Sequence, residues 1–349
     1  MSIFKAIGVM SGTSLDGVDL VYCIFDKKQG QWEYKIIKSI TIEYDAKWKN
    51  RLSNAHKLSA IDLTKLDFEY GDYLGRMVSA FIKRQHLTPK LVASHGHTVF
   101  HNPAEGYTLQ IGKAAAISAH LSCKLVSDFR SQDVALGGQG APLVPIGDEL
   151  LFTKYKACIN LGGVANISLN KDGKRIAWDI GFCNMPLNYL MKDFGLEYDK
   201  GGKYAAEGEV NIDLLRQLNN IEYYNKQYPK TLGREQFEKE ILPLFESSKA
   251  NTKDKLRTWV EHISEQISMS IKNTSGEVML TGGGAFNTLL TDRILSKTKT
   301  TIIIPNKQLV DSKEALIFAF LGVLCLEDEV NVLSSVTGAK TNHCSGIIS

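Results

Sequence analysis

Residues 7–20 read IGVMSGTSLDGVDL. Strand-like apolar text runs in from residue 4 and resumes at residue 18, and between the two lie Gly12, Thr13, Ser14, Asp16 and Gly17. Asp-Gly between two such runs predicts a short hairpin turn. Glycine and small hydroxyl residues at the bend add a second property: where no Cβ intervenes, backbone N–H groups can close on a phosphate chain, and Ser11, Thr13 and Ser14 add hydroxyl donors. Working outward, residues 32–43 (WEYKIIKSITIE) make a third strand. Leu66, Tyr70, Tyr73, Met77 and Phe81 then recur at helical spacing across 61–84. KLVASHG (90–96) reads as a strand, the alanine-rich stretch 111–121 as a helix and KLVSD (124–128) as a strand. The order is βββαβαβ.

The same order starts again at residue 155. YKACINLGG and VANISLN pair around Gly162-Gly163, and KRIAWDIG (174–181) follows as the third strand. A helix over about 254–272, the strand EVMLTGGG (277–284), a helix over about 287–296, the strand TTIIIP and a helix over about 312–326 complete βββαβαβα. Parallel strands separated by helices predict open sheets covered on both faces, with ligands at the carboxyl ends of the strands. The predicted fold is α/β: two lobes, 1–148 and 149–349, around a crevice, with the C-terminal helix packing back on the first. ALGGQGAPLVP (135–145) is the expected connection, and 196–250 a helical insertion of the second lobe.

Composition narrows the class. The chain is 44% hydrophobic and 23% charged, with a net charge of +3, so nucleic acid is not expected as the main partner. No apolar run approaches the ~20 residues of a membrane span, nothing reads as a signal peptide, and the six cysteines contain no CxxC. The expectation is a cytoplasmic protein with reduced thiols.

Three glycine loops occupy matching places: residues 12–19 (Gly12, Thr13, Ser14, Leu15, Asp16, Gly17, Val18, Asp19), Gly162-Gly163, and Gly282-Gly283-Gly284 ahead of a helix starting near Asn287. No GxxxxGK[ST] or GxGxxG spacing is present. Three such bends in two matching lobes predict a clamp on the phosphates of ATP. Asp179 ends the third strand of the second lobe, where its carboxylate faces the crevice. Arg130, in SDFR, could fork onto a carboxylate or phosphate. Asp311 and Glu314 have capping-box spacing. His95, His97 and His101 lack the nearby carboxylate or cysteine that a metal set would draw on.

These loops on a doubled βββαβα frame resemble the actin/hexokinase/Hsp70 (ribonuclease H-like) superfamily of ATP-binding folds. More narrowly, IGVMSGTSLDGVDL, SHGHTVFHNP, TLQIG, DFRSQDVALGGQGAPLVP, INLGGVANIS, AWDIGFCN, PKTLGREQF, TGGGAFN and SSVTGA resemble the anhydro-N-acetylmuramic acid kinase family, over residues 7 to about 339. The resemblance implies two actin-like lobes around an ATP and sugar cleft. It also implies that ATP with Mg²⁺ phosphorylates O6 of 1,6-anhydro-N-acetylmuramic acid while water opens the anhydro ring, in a homodimer serving peptidoglycan recycling. It makes Asp179 the catalytic base and Glu314 an acceptor for sugar hydroxyls; His97 lines the sugar pocket, and the lactyl carboxylate suits Arg130. The chain departs from the family pattern at Lys113, Gly147-Asp148, the IGFCN run, Asn188 and NTKD (251–254). A kinase for another anhydro-sugar such as levoglucosan, a catalytically silent nucleotide-dependent sugar sensor and an actin- or Hsp70-like binding module remain open on the residues alone.

Overall fold

A computed structural model describes residues 3–12 and 15–349. The chain forms two compact units, Met1–Phe152 with Ser312–Ser349, and Thr153–Asp311. It therefore leaves the first unit after Phe152 and re-enters it inside the helix Lys307–Leu326, whereas the sequence boundary was set at 148/149.

The first unit carries β1 (Ile3–Ser11), β2 (Gly17–Lys28), β3 (Gln31–Glu43), β4 (Leu91–Ser94), the hairpin β5 (His97–Asn102) and β6 (Tyr107–Ile111), and β7 (Lys124–Ser127). The second carries β8 (Ala157–Leu161), β9 (Val164–Lys171), β10 (Lys174–Phe182), β11 (Glu277–Thr281) and β12 (Thr301–Ile303). A last strand, β13 (Ile347–Ile348), returns to β7. The first sheet has the order β13-β7-β4-β1-β2-β3 and the second β10-β9-β8-β11-β12. In each, an antiparallel meander of three strands takes its parallel neighbours on the side of its first strand. The two sheets share one topology, as the repeated element order predicts.

The sequence explains why each sheet is covered. Residues 6–11 of β1 are all buried, the pattern of a strand with helices on both faces. On one face the helix Ala60–Arg84 lays Leu66, Tyr70, Leu74, Val78 and Phe81 onto Ile7, Val9, Leu20 and Val92. On the other, Gly8 lets the helix Lys307–Leu326 reach the backbone: a Cβ there would stand 1.8 Å from the carbonyl oxygen of Ala315. In the second unit the helix Thr252–Ser270 buries Trp259, Val260, Ile263 and Ile267 in the core shared with Ile159, Ile167 and Leu280.

Three local readings change. Asp16-Gly17 is not the centre of a tight turn, because β1 and β2 meet at Ser11↔Val18 and Gly17 already pairs with Glu43 of β3. Gly17 is required there because a Cβ would lie 2.4 Å from the Ile42 carbonyl oxygen; the left-handed residue of the bend is Leu15, at φ 61°. The alanine-rich stretch is helical only over Ala114–Ser118, because Ile111 closes the hairpin opposite His97. Residues 135–145 are not a free connection: Gly138 N–H donates to the Asp133 carbonyl oxygen, Gln139 N–H to that of Thr337 and Gly140 N–H to the fully buried Asp133 carboxylate. Among the described residues no helix is long and apolar enough to cross a membrane.

Candidate active site

In the second unit, the β8–β9 turn, the end of β11 and the start of the helix Asn184–Met191 come together. Gly282 (φ +82°) and Gly284 are demanded by packing on β8, since Cβ atoms would stand 2.6 Å from Asn160 Oδ1 and 2.8 Å from Leu161 Cβ respectively. Gly163 and Gly283 differ. Neither has a positive φ, and a Cβ on either would find nothing nearer than 3.9 Å among the described residues. Packing among the described residues does not explain glycine at these two positions, where the open backbone leaves room for a ligand to approach.

Asn184 joins the two loops. Its N–H donates to the Gly162 carbonyl at 3.0 Å, its Nδ2 donates to the Leu161 carbonyl at 3.0 Å, and its Oδ1 lies 3.1 Å from where a Gly284 Cβ would be. Cys183 and Met185 N–H groups donate to the Gly163 carbonyl at 2.8 and 3.2 Å. The first donors of this helix are thus occupied by the turn and fix its shape. Trp259 Nε1 holds the Cys183 carbonyl at 3.1 Å from the core side. Sequence reasoning passed over Asn184, although it sits at the helix start within the divergent IGFCN run. Asn287 caps the helix Thr288–Lys297 through Oδ1 to Leu290 N–H, 3.1 Å.

Asp179 lies on β10 opposite Asn166, just before a bulge at Gly181. Its carboxylate does not cap the following turn. Instead the insertion reaches it: Leu232 N–H donates to Asp179 Oδ2 at 2.9 Å, Asp179 N–H donates to the Lys230 carbonyl at 3.0 Å, and Tyr223 Oη donates to the Asp179 carbonyl at 2.7 Å. Lys230 Nζ in turn donates to the Tyr223 carbonyl at 3.1 Å and covers that ring. No cation pairs with Asp179 among the described residues. Burial pushes its carboxyl up to about 6, against the pull of the Leu232 N–H. A half-buried carboxylate with one backbone donor and a pKa raised to about 6 has the properties of a general base.

In the first unit Thr13 and Ser14 lie outside the described residues. Gly12 is half-buried, Asp16 is exposed, and Val18 points into the core, leaving only its backbone for a ligand. Asp19 accepts from Thr41 Oγ1 at 2.5 Å. Ser11 is not a free donor, since its hydroxyl lies 2.7 Å from Tyr44 Oη and accepts from Tyr70 Oη at 2.8 Å. His97 sits 3.4 Å from the same hydroxyl, and burial lowers its pKa to about 4, so it stays neutral. Arg130 Nε donates to His95 Nε2 at 3.0 Å and Nη1 to the Gly140 carbonyl at 2.5 Å. Glu314 keeps water contact yet is set deep among protein atoms, which raises its carboxyl above the ordinary range; Lys313 and Arg130 pull it back. Its neighbour Lys313 is committed to a buried ion pair with Asp148 at 2.7 Å. Among the described residues no three His, Cys, Asp or Glu side chains gather as a metal-binding group.

Two sheets of the same order, each carrying a glycine-bearing bend between its first two strands, define the actin-like α/β class. The family model for anhydro-N-acetylmuramic acid kinase matches residues 4–349. A curated relative named anhydro-N-acetylmuramic acid kinase from Sulfurovum sp. (strain NBC37-1) is 34% identical, covering 98% of each chain. A second of the same name, from Francisella tularensis subsp. novicida (strain U112), is 34% identical over 100% of this chain and 99% of its own. Among solved structures, Plasmodium falciparum glycerol kinase with ADP overlaps 92% of this chain and 90% of its own at TM-score 0.46 and 9% identity. The chain belongs to the anhydro-N-acetylmuramic acid kinase family, whose members are named as phosphotransferases acting on a small sugar. Nucleotide use goes with membership of a kinase family.

The glycines can be tested separately. Gly163→Ala and Gly283→Ala should leave the melting temperature within about 1 °C of the parent, since nothing is displaced. Both should raise the dissociation constant for ATP, by about tenfold or more. Gly282→Ala should lower the melting temperature, because both φ and Leu161 oppose a Cβ. Thermal melts and ATP titrations of the three variants check this; an ATP affinity unchanged in Gly163→Ala and Gly283→Ala contradicts the cradle.

Proposed function

We propose that the chain is an ATP-dependent kinase that opens 1,6-anhydro-N-acetylmuramic acid with water and places the γ-phosphoryl group on O6, giving N-acetylmuramic acid 6-phosphate and ADP. The observation that carries this reading is Asp179: a carboxylate with a raised pKa, one backbone donor and no counter-ion among the described residues, in the unit that carries a pair of open glycine loops. Water gives its proton to Asp179 as its oxygen bonds to C1; the C1–O6 bond breaks, and O6 takes the phosphoryl group. Phosphoryl transfer itself needs mostly positioning and charge neutralisation.

In this proposal the backbone of Gly12, Thr13, Ser14, Leu15, Asp16, Gly17, Val18 and Asp19 and the loops at Gly162, Gly163, Gly282, Gly283 and Gly284 hold the nucleotide. Asn287, whose oxygen caps a helix, offers its Nδ2, which makes no hydrogen bond among the described residues, for the same purpose. Arg130 takes the lactyl carboxylate, Glu314 accepts from a sugar hydroxyl, and His97 offers a neutral imidazole. Mg²⁺ accompanies ATP and neutralises the transferring charge, held mainly by phosphate oxygens and water. The working unit is a cytoplasmic homodimer in peptidoglycan recycling.

Release of ADP with the muramic sugar, with levoglucosan as control, is the direct test; no turnover of the muramic sugar contradicts the proposal. The base must be ionised to act, so kcat/KM should fall as pH drops through about 6, the value to which burial raises Asp179. A pH–rate profile flat between 5 and 7.5 contradicts that role.

A further inference from the structure

Arginine has only donors, so the 3.0 Å contact between Arg130 Nε and His95 Nε2 fixes the His95 tautomer: Nε2 bears the lone pair and Nδ1 bears the proton, which it donates to the Gly96 carbonyl at 2.8 Å. The ring is held in place on every side. His95 N–H continues the ladder to the Val9 carbonyl at 3.0 Å, the side chain is buried, and Phe318 meets its face edge-on at 4.8 Å. Burial and the adjacent guanidinium push its pKa down to about 3, so the acceptor stays available at any working pH.

The second anchor of the guanidinium is equally built. The Gly140 carbonyl that accepts from Nη1 belongs to a residue at φ +65°, whose N–H donates to Asp133 Oδ2 at 2.6 Å. Thr337 Oγ1 steadies the other Asp133 oxygen at 2.7 Å. Two of the three guanidinium nitrogens are thus pinned by groups that are themselves pinned. Nη2 makes no hydrogen bond to the described residues. Glu314 is close enough to act on Arg130 by charge, yet no ion pair joins them among the described residues. An arginine held this way loses little freedom when an anion arrives at its remaining edge.

We propose that His95 is a positioning residue for the sugar's carboxylate: it fixes the rotation of the Arg130 guanidinium, so that the Nη2 edge is held ready for the anion. The proposal rests on the reading of Arg130 given above and assigns the clamp to preference for acidic over neutral anhydro-sugars.

The test is calorimetric titration, in the presence of a non-hydrolysable ATP analogue, with 1,6-anhydro-N-acetylmuramic acid and with 1,6-anhydro-N-acetylglucosamine, which has the same ring without the lactyl carboxylate. His95→Leu should weaken binding of the acidic sugar by about 10- to 100-fold, leave the neutral sugar and the ATP analogue unchanged, and raise KM with kcat retained. His95→Gln, whose amide oxygen can accept from Nε, should recover most of the loss. Should His95→Leu not yield folded protein, His95→Asn, too short to reach Nε, serves the same comparison. Equal weakening for both sugars, or a fall in kcat at constant KM, overturns the positioning role. A wild-type preference for the acidic sugar that survives in His95→Leu overturns the His95 proposal alone. No wild-type preference at all overturns the Arg130 reading and the His95 proposal with it.

Discussion

Asp179→Asn is expected to lower kcat by about 10²–10⁴-fold while leaving ATP affinity unchanged, the loss that follows when a general base is replaced by its uncharged isostere. The same substitution should not weaken the fold. Because burial raises the folded-state pKa from 3.8 to about 6, the folded chain holds this proton more tightly than the unfolded chain does. The residue therefore costs stability as pH rises from about 4 to about 6, and the full cost persists above that range. The amide keeps an oxygen for the Leu232 N–H without carrying the charge. At pH 8 the variant should melt at or above the parent temperature, and at pH 4 the difference should vanish. Activity lost with stability kept is the signature of a residue held for chemistry; a variant that melts several degrees lower would mark Asp179 as a structural cap.

Asp148→Asn should give the largest loss of stability. Lys313 and Asp148 face each other at 2.7 Å with side chains only 5% and 4% exposed, and the ammonium also stands over the Phe152 ring. Removing one charge of a buried pair leaves the other in a medium that does not solvate it, which costs about 3–5 kcal/mol. For a chain of this size that is a fall in melting temperature on the order of 5–10 °C. The double change Asp148→Leu with Lys313→Met should recover most of it, because two apolar groups of similar volume need no counter-charge. Thermal denaturation at pH 7.5 checks both; a single variant that melts with the parent contradicts a paired, desolvated Lys313.

What could be read in the sequence follows from what each feature depends on. The doubled sheet was legible because strands buried on both faces write themselves as apolar runs, and the amphipathic helix 61–84 as a 3.6-residue period. The loops were legible as glycines, but their division of labour was not: Gly282 and Gly284 answer to Leu161, Gly163 and Gly283 to no described neighbour nearer than 3.9 Å, and only the spatial neighbours separate the cases. Gly147-Asp148, a departure from the family pattern, becomes intelligible once the helix Lys307–Leu326 is in place. A Cβ at 147 would meet Ile317 at 2.7 Å, and Asp148 meets Lys313. The support of Asp179 by residues 230–232 was not legible, because a backbone N–H carries no residue identity. Asn184 was hidden for a related reason: its contacts are to carbonyls of residues 161 and 162, far away in sequence.

The most direct measurement of the central claim is the fate of solvent oxygen. Wild-type enzyme, ATP and 1,6-anhydro-N-acetylmuramic acid in ¹⁸O-water, quenched early, should give a 6-phosphate whose newly formed C1 hydroxyl carries one ¹⁸O and whose phosphoryl group carries none. Asp179→Asn should form that product at least about 100-fold more slowly. Product without label at C1, label in the phosphoryl group, or full activity in Asp179→Asn would contradict a carboxylate on β10 that delivers water to the sugar as ATP captures O6.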